Sequence, residues 1–149
     1  MKATSDLLLL DVNVLLAMAW PNHQFHVAAI QRLEANRNRW ATCAITQLGF
    51  IRLSSNPPVV PRPRSPSEAA ALLSIMVQDA RHVYLDALPS PTAKDFGAEL
   101  AGLLGHKQVT DAYLLALARR HGAAFVTFDA RMKHLKASGA TLEILGQPA

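Results

Sequence analysis

Cysteine is nearly absent from this sequence: Cys43 is the single one among 149 residues. One cysteine closes no internal disulfide, and a lone cysteine with no partner set at ligand spacing does not build a structural zinc site. That usage suits a reducing, cytoplasmic setting. Long apolar runs are missing too. The stretch from Leu7 is interrupted by Asp11 and Asn13, no small-residue cleavage pattern follows it, and nothing reaches the roughly 18 apolar residues of a membrane span. The expectation is a soluble chain. There is no Gly-rich phosphate loop, so nucleoside triphosphate binding is not indicated. There is no G-x-S-x-G elbow and no internal repeat.

What is present is enough apolar sequence for a core. Half of the residues are hydrophobic and 17% are charged, which fits one domain over residues 1–149 without covalent staples. The net charge of +4 favours a polyanionic partner such as nucleic acid, or an acidic protein segment; a solvated, slightly basic surface accounts for it equally well.

Strand-like and helix-like segments alternate. Leu7–Leu10 is a continuous apolar run and predicts a buried strand. Val14–Trp20 predicts a short helix stopped by Pro21. Asn22 is placed to cap a helix over His23–Asn36, with Phe25, Ala29 and Leu33 on one face. A strand over Trp40–Cys43 and a helix over Ala44–Leu53 follow, the latter with Ile45, Leu48 and Arg52 at helical spacing. Five prolines between Ser54 and Ser67 predict a loop. Ser67 is a candidate cap for a helix over Glu68–Arg81. His82–Leu85 is strand-like, and Pro91–Leu104 is helix-like. Val109–His121 is apolar nearly all round and predicts a buried helix, closed by Gly122. Ala123–Phe128 predicts a buried strand, Arg131–Ala137 a short helix broken by Gly139, and Thr141–Leu145 a last strand. This order predicts an α/β fold with a central parallel sheet and helices on both faces.

Two acids stand at the ends of predicted strands, Asp11 after LLLL and Asp129 after FVTF. Ligands of open parallel sheets bind beyond the carboxyl ends of the strands, near a topological switch point. A third acid, Asp111, opens the buried helix. Taken singly, Asp111 reads as a helix-start acid favoured by the dipole; taken with the other two, it belongs to one edge of one sheet. Carboxylates gathered there repel unless a cation lies between them. An all-oxygen set points to a hard ion, Mg²⁺ or Mn²⁺, rather than zinc. Such an ion neutralises a phosphodiester and activates water.

The blocks LLLLDVNVLL, CAITQLGFIRLSSNP, QVTDAYLLALARRHGA and FVTFDARM, in this order, resemble PIN domains of the VapC toxins over nearly the whole chain. The resemblance implies a three-layer α/β/α sandwich, Mg²⁺-dependent cleavage of RNA, a homodimer and an inhibiting VapB-like antitoxin. It implies metal ligation by Asp11, Asp111 and Asp129, with Asn13 and Thr110 orienting those groups. The chain departs from the family at Gln47, where many members carry glutamate. An amide brings no charge and cannot act as a base. The site then holds three acids instead of four, and a catalytically weakened module that binds antitoxin and RNA stays open as the alternative. A phosphatase of the haloacid-dehalogenase type would want a second acid at position 13, which is Asn13.

Arg52, His106 and Lys107 are candidate phosphate contacts, the last two because they sit just before the Asp111 helix. Arg119, Arg120 and the basic group from Arg131 to Lys136 read as solvated helix faces, and Arg62 and Arg64 as parts of a connector. His23 and His26 lack a third ligand and read as surface residues. Trp20, Trp40 and Phe50 read as core or interface.

Overall fold

The computed structural model describes residues 6–57, 62, 64–94, 96, 100, 106–135 and 140–146. Its centre is a five-stranded parallel sheet of order β3-β2-β1-β4-β5, formed by β1 (Leu7–Leu10), β2 (Arg39–Cys43), β3 (His82–Leu85), β4 (Ala124–Thr127) and β5 (Thr141–Ile144). The chain steps outward from β1 to β2 to β3, then returns to lay β4 on the other side of β1. The strand order therefore reverses between β1 and β4, where a parallel sheet opens its ligand crevice.

Alternation along the strands divides the core in two. Leu7, Leu9, Ala41, Cys43 and Phe125 face α5 (Val109–Arg120). Leu8, Leu10, Trp40, Ala124 and Val126 face the opposite layer. That layer contains α1 (Val12–Ala19), α2 (His26–Ala35), α3 (Ala44–Ser54) and α4 (Pro66–Met76). Both faces of β1 are covered, which is why its four leucines need no polar alternation. The result is the expected three-layer α/β/α arrangement. Every side chain from Ala112 to Ala118 in α5 is buried, as its all-round apolarity requires. The helix closes on Gly122, whose φ of 66° lies in the left-handed region that glycine enters without strain.

Several boundaries differ from the sequence expectation, each for a local reason. α1 starts at Val12 rather than Val14 because the Asp11 carboxylate accepts the Val12 N–H at 2.7 Å. α2 begins at His26 rather than His23. Asn22 is not its cap; residues 21–25 form turns in which His23 Nδ1 accepts the Phe25 N–H. Ser65, not Ser67, caps α4 through a reciprocal pair with Glu68. The same helix stops at Met76, short of Arg81, where the Asp79 carboxylate ties the turn by accepting the Arg81 N–H.

In α3 the buried residues are Thr46, Gly49, Phe50 and Ser54, whereas Leu48 is 65% exposed. Of the residues at helical spacing, Ile45 packs against the core on the α5 side, while Leu48 and Arg52 are exposed. Gly49 sets the closest approach: a Cβ there would lie 2.6 Å from Val12 Cγ2, so α3 rests directly on α1. Beyond β4, Ala130–His134 forms a 3-10 turn instead of a longer α-helix.

The predicted helix over 91–104 lies mostly outside the described residues, as do Lys136 and Gly139 and the side chain of Lys107. Trp40 and Phe50 are core residues. Trp20 is partly buried, and the Arg64 guanidinium lies 5.6 Å from its ring centroid.

Candidate metal site

Asp11 is the residue immediately after β1. Its N–H bonds Val126 O at 2.9 Å, which extends the β1–β4 pairing to the carboxyl edge. The residue is only 9% exposed. One carboxylate oxygen accepts from Val12 N; the other accepts from the Thr127 hydroxyl at 2.7 Å. Burial pushes the Asp11 carboxyl above its ordinary range, the two hydrogen bonds pull it back, and repulsion from Asp129 adds to the rise.

Thr127, the last residue of β4, is fully buried and works as a hub. Its hydroxyl donates to Asp11 and accepts from Asn13 Nδ2 at 3.1 Å and from the Asp129 N–H at 3.1 Å. One donor and two lone pairs are all that a threonine has, so its polar capacity is used completely. Asn13 completes the clamp, its carbonyl accepting from Phe128 N at 3.2 Å. The three residues lock the start of α1 to the end of β4.

Asp111 lies in the first turn of α5 and is partly buried. Its carboxyl is pushed up to about 6, first by burial, then by repulsion from Asp11 and Asp129; Arg131 opposes the rise. Asp129 behaves in the opposite way. Arg131 donates to both of its oxygens and holds its carboxyl below the ordinary range, with a smaller opposing effect of burial.

The fold thus brings Asp11, Asn13, Asp111 and Asp129 to one edge. The other sequence candidates lie differently. Gln47 donates its amide to the Thr42 hydroxyl at 3.0 Å, and that hydroxyl also meets His82 Nε2 at 2.8 Å. Among the described residues no hydrogen bond joins Gln47 to the acids. Thr110 is exposed and lines an apolar hollow with Ile45, Leu88, Phe96 and Tyr113. His106 is exposed in the turn before α5. Arg52 is exposed in the last turn of α3, roughly 12 Å along the axis from the end of that helix at the carboxyl edge.

Sequence reasoning missed Thr127; Arg131 is exposed as expected, but its pairing with Asp129 was not foreseen. The signal for Thr127 was one hydroxyl closing an otherwise apolar strand, two residues before Asp129.

The donor chemistry fits a hard divalent cation. Two desolvated carboxylates with raised proton affinity repel one another across the switch point, and a cation between them would relieve both burial and repulsion. The fit is incomplete in one respect: among the described residues no ready-made group of three ligating side chains is assembled.

Comparison with known proteins agrees with this architecture. The PIN domain family model matches residues 8–137. Ribonuclease VapC39 of Mycobacterium tuberculosis is 41% identical over 140 residues, covering 92% of this chain and 98% of that protein. Ribonuclease VapC38 of the same organism is 41% identical over 123 residues, covering 82% and 84%. Among solved structures, VapBC2 from Rickettsia felis bound to a promoter DNA fragment superposes with a TM-score of 0.65 at 16% identity, covering 93% of this chain and 98% of that one. Mycobacterium tuberculosis VapC20, described as a Sarcin-Ricin loop cleaving toxin, gives 0.62 at 14% identity, covering 85% and 92%. At such identities the structural likeness speaks for the fold alone; the family model and the close sequence relatives carry the assignment, and this chain belongs to the PIN domain family.

Proposed function

We infer that this chain is the toxin of a type II toxin–antitoxin pair and an endoribonuclease that hydrolyses RNA phosphodiester bonds. The observation that carries the reading is the trio Asp11, Asp111 and Asp129 at the β1/β4 switch point, where burial and mutual repulsion leave two carboxylates in want of a cation. The sequence relatives named as VapC ribonucleases support it.

Asp11 and Asp111 would hold Mg²⁺ or Mn²⁺, with Asp129 completing the set directly or through water. Once bound, the ion supplies charge neutralisation at the phosphate and an activated water. The chain's own part is positional. Thr127 and Val12 N–H hold the Asp11 carboxylate by one contact to each oxygen, so it cannot swing away from the edge. Asn13 fixes the strand end that carries Asp129. His106 and Lys107, in the turn that leads into α5, are proposed to contact the RNA backbone; Arg52 is a weaker candidate by its position. Thr110 and Gln47 are proposed to act on the site only through neighbouring groups.

The partners proposed are RNA, a VapB-like antitoxin and a second copy of the chain. VapBC complexes among the structural neighbours support the second, and the exposed Leu48 and Ile75 on the packed pair α3 and α4 support the third. No helix among the described residues is long and apolar enough to cross a membrane.

The test is RNA cleavage with Mg²⁺ or Mn²⁺ by the wild type, Asp11→Asn and Asp111→Asn. Loss of at least about a hundredfold in both variants is expected, since each removes charge that stabilises the transition state. Equal activity in all three refutes the assignment.

A further inference from the structure

Arg131 is the cation whose contacts reach the acid cluster among the described residues. Its Nε donates to Asp129 Oδ1 at 3.0 Å, its Nη2 to Oδ2 at 2.9 Å, and its backbone N–H to Oδ1 at 3.0 Å. Both carboxylate oxygens are therefore engaged by one fork. The guanidinium also acts electrostatically on Asp111. Yet the Arg131 side chain is 82% exposed.

The cluster is consequently unevenly supplied. Among the described residues no ion pair is seen at Asp11 or Asp111, while Asp129 is paired with Arg131. A divalent ion placed on Asp11 and Asp111 and drawing on Asp129 must compete with Arg131 for the same oxygens. We propose that Arg131 is an exchangeable counter-ion, which clamps Asp129 while the metal is out, then yields that carboxylate to the metal and turns its fork onto an RNA phosphate.

Three properties suit it to this exchange. A guanidinium fork matches two phosphate oxygens as well as two carboxylate oxygens. It stays charged throughout, so no proton moves. An exposed pair is weak in water, so giving it up costs little. The inference rests on the metal-dependent reading above. Its rival is an exposed Asp–Arg pair that only stabilises the turn.

The two roles predict different signs. Mn²⁺ binding to the metal-free protein is measured by calorimetry for the wild type, Arg131→Gln, Arg131→Lys and Asp11→Asn. Binding of a short mixed-sequence RNA is measured with Ca²⁺ replacing Mg²⁺. Exchange predicts that Arg131→Gln binds Mn²⁺ about two- to fivefold more tightly, the range an exposed ion pair spans, and binds RNA more weakly with a salt slope shallower by about one contact. Arg131→Lys falls between, because an ammonium makes no fork. In an Asp129→Asn background, Arg131→Gln leaves Mn²⁺ affinity unchanged. If Arg131→Gln binds Mn²⁺ no tighter, or RNA no weaker, while Asp11→Asn still abolishes Mn²⁺ binding, the exchange is refuted and the metal-site reading stands. A wild type that binds no Mn²⁺ removes both.

Discussion

Asp111→Asn, which should abolish cleavage, should also make the metal-free protein more stable. Asp111 titrates at about 6 in the fold against 3.8 for an ordinary aspartate. The fold therefore holds the proton more tightly than the unfolded chain does. The stability this contributes is fully present below pH 3.8 and is lost as pH rises through about 6. At roughly 1.4 kcal/mol per pH unit, the gap sets a ceiling of about 3 kcal/mol. The side chain is only partly buried, so solvent screening lowers the expected effect to about 1–2 kcal/mol. An asparagine of the same shape carries no charge to be repelled by Asp11 and Asp129. Thermal melts in chelator at pH 7.5 should place the variant roughly 2–8 °C above the wild type, at about 2–4 °C per kcal/mol for a domain of this size. The difference should close as pH falls toward 4. Saturating Mg²⁺ should reverse the order, since about 100-fold excess over Kd stabilises the binding-competent wild type by about 2.7 kcal/mol. A variant no more stable than the wild type at pH 7.5 in chelator, or an advantage that persists at pH 4, would refute the argument that repulsion among these acids is unrelieved without metal.

Thr127→Val removes the hub and leaves Asp11 Oδ2, Asn13 Nδ2 and the Asp129 N–H without their partner; a loss of about 2–4 kcal/mol in urea unfolding is expected, and a loss under 1 kcal/mol would show that water replaces the hydroxyl. Gln47→Glu replaces the amide that donates to Thr42 with a carboxylate that can only accept there. His82 now sits below its ordinary pKa, mainly through burial, while Asp79 and a hydrogen bond to the Val77 backbone oppose the shift. The new charge should raise the His82 pKa, as read by NMR titration, and change cleavage by less than about tenfold; a gain above that would place position 47 inside the catalytic set.

The fold was readable because its strongest determinants are local. The LLLL run, the all-round apolar α5 and the glycine after it each declare burial or a chain reversal within a few residues. Helix starts were less readable, because a cap is decided by which of several nearby polar groups reaches the free N–H. Ser65 and Ser67 both stand before the same apolar run, and only the first has a glutamate three residues on to close the reciprocal pair. The buried face of α3 was less readable for a related reason. Helical spacing of apolar residues does not by itself orient the helix; close contact with Val12 demands the residue without a Cβ, Gly49, and Leu48 lies exposed.

The acids themselves were readable because a strand-end carboxylate is out of place unless something pays for its burial. What surrounds them was not, since the groups that decide their charge are remote in sequence. Thr127 is 116 residues from the carboxylate to which it donates. Arg131 is near Asp129 in sequence, and Asp129 caps the 3-10 turn that starts at Ala130; the pairing is a matter of side-chain rotamers that apolar periodicity does not report. Asp129 therefore arrives at the edge already paired. Three carboxylates at the edge are thus not equivalent. On the proposed reading, Asp11 and Asp111 would draw the cation, and Asp129 would join by giving up its arginine.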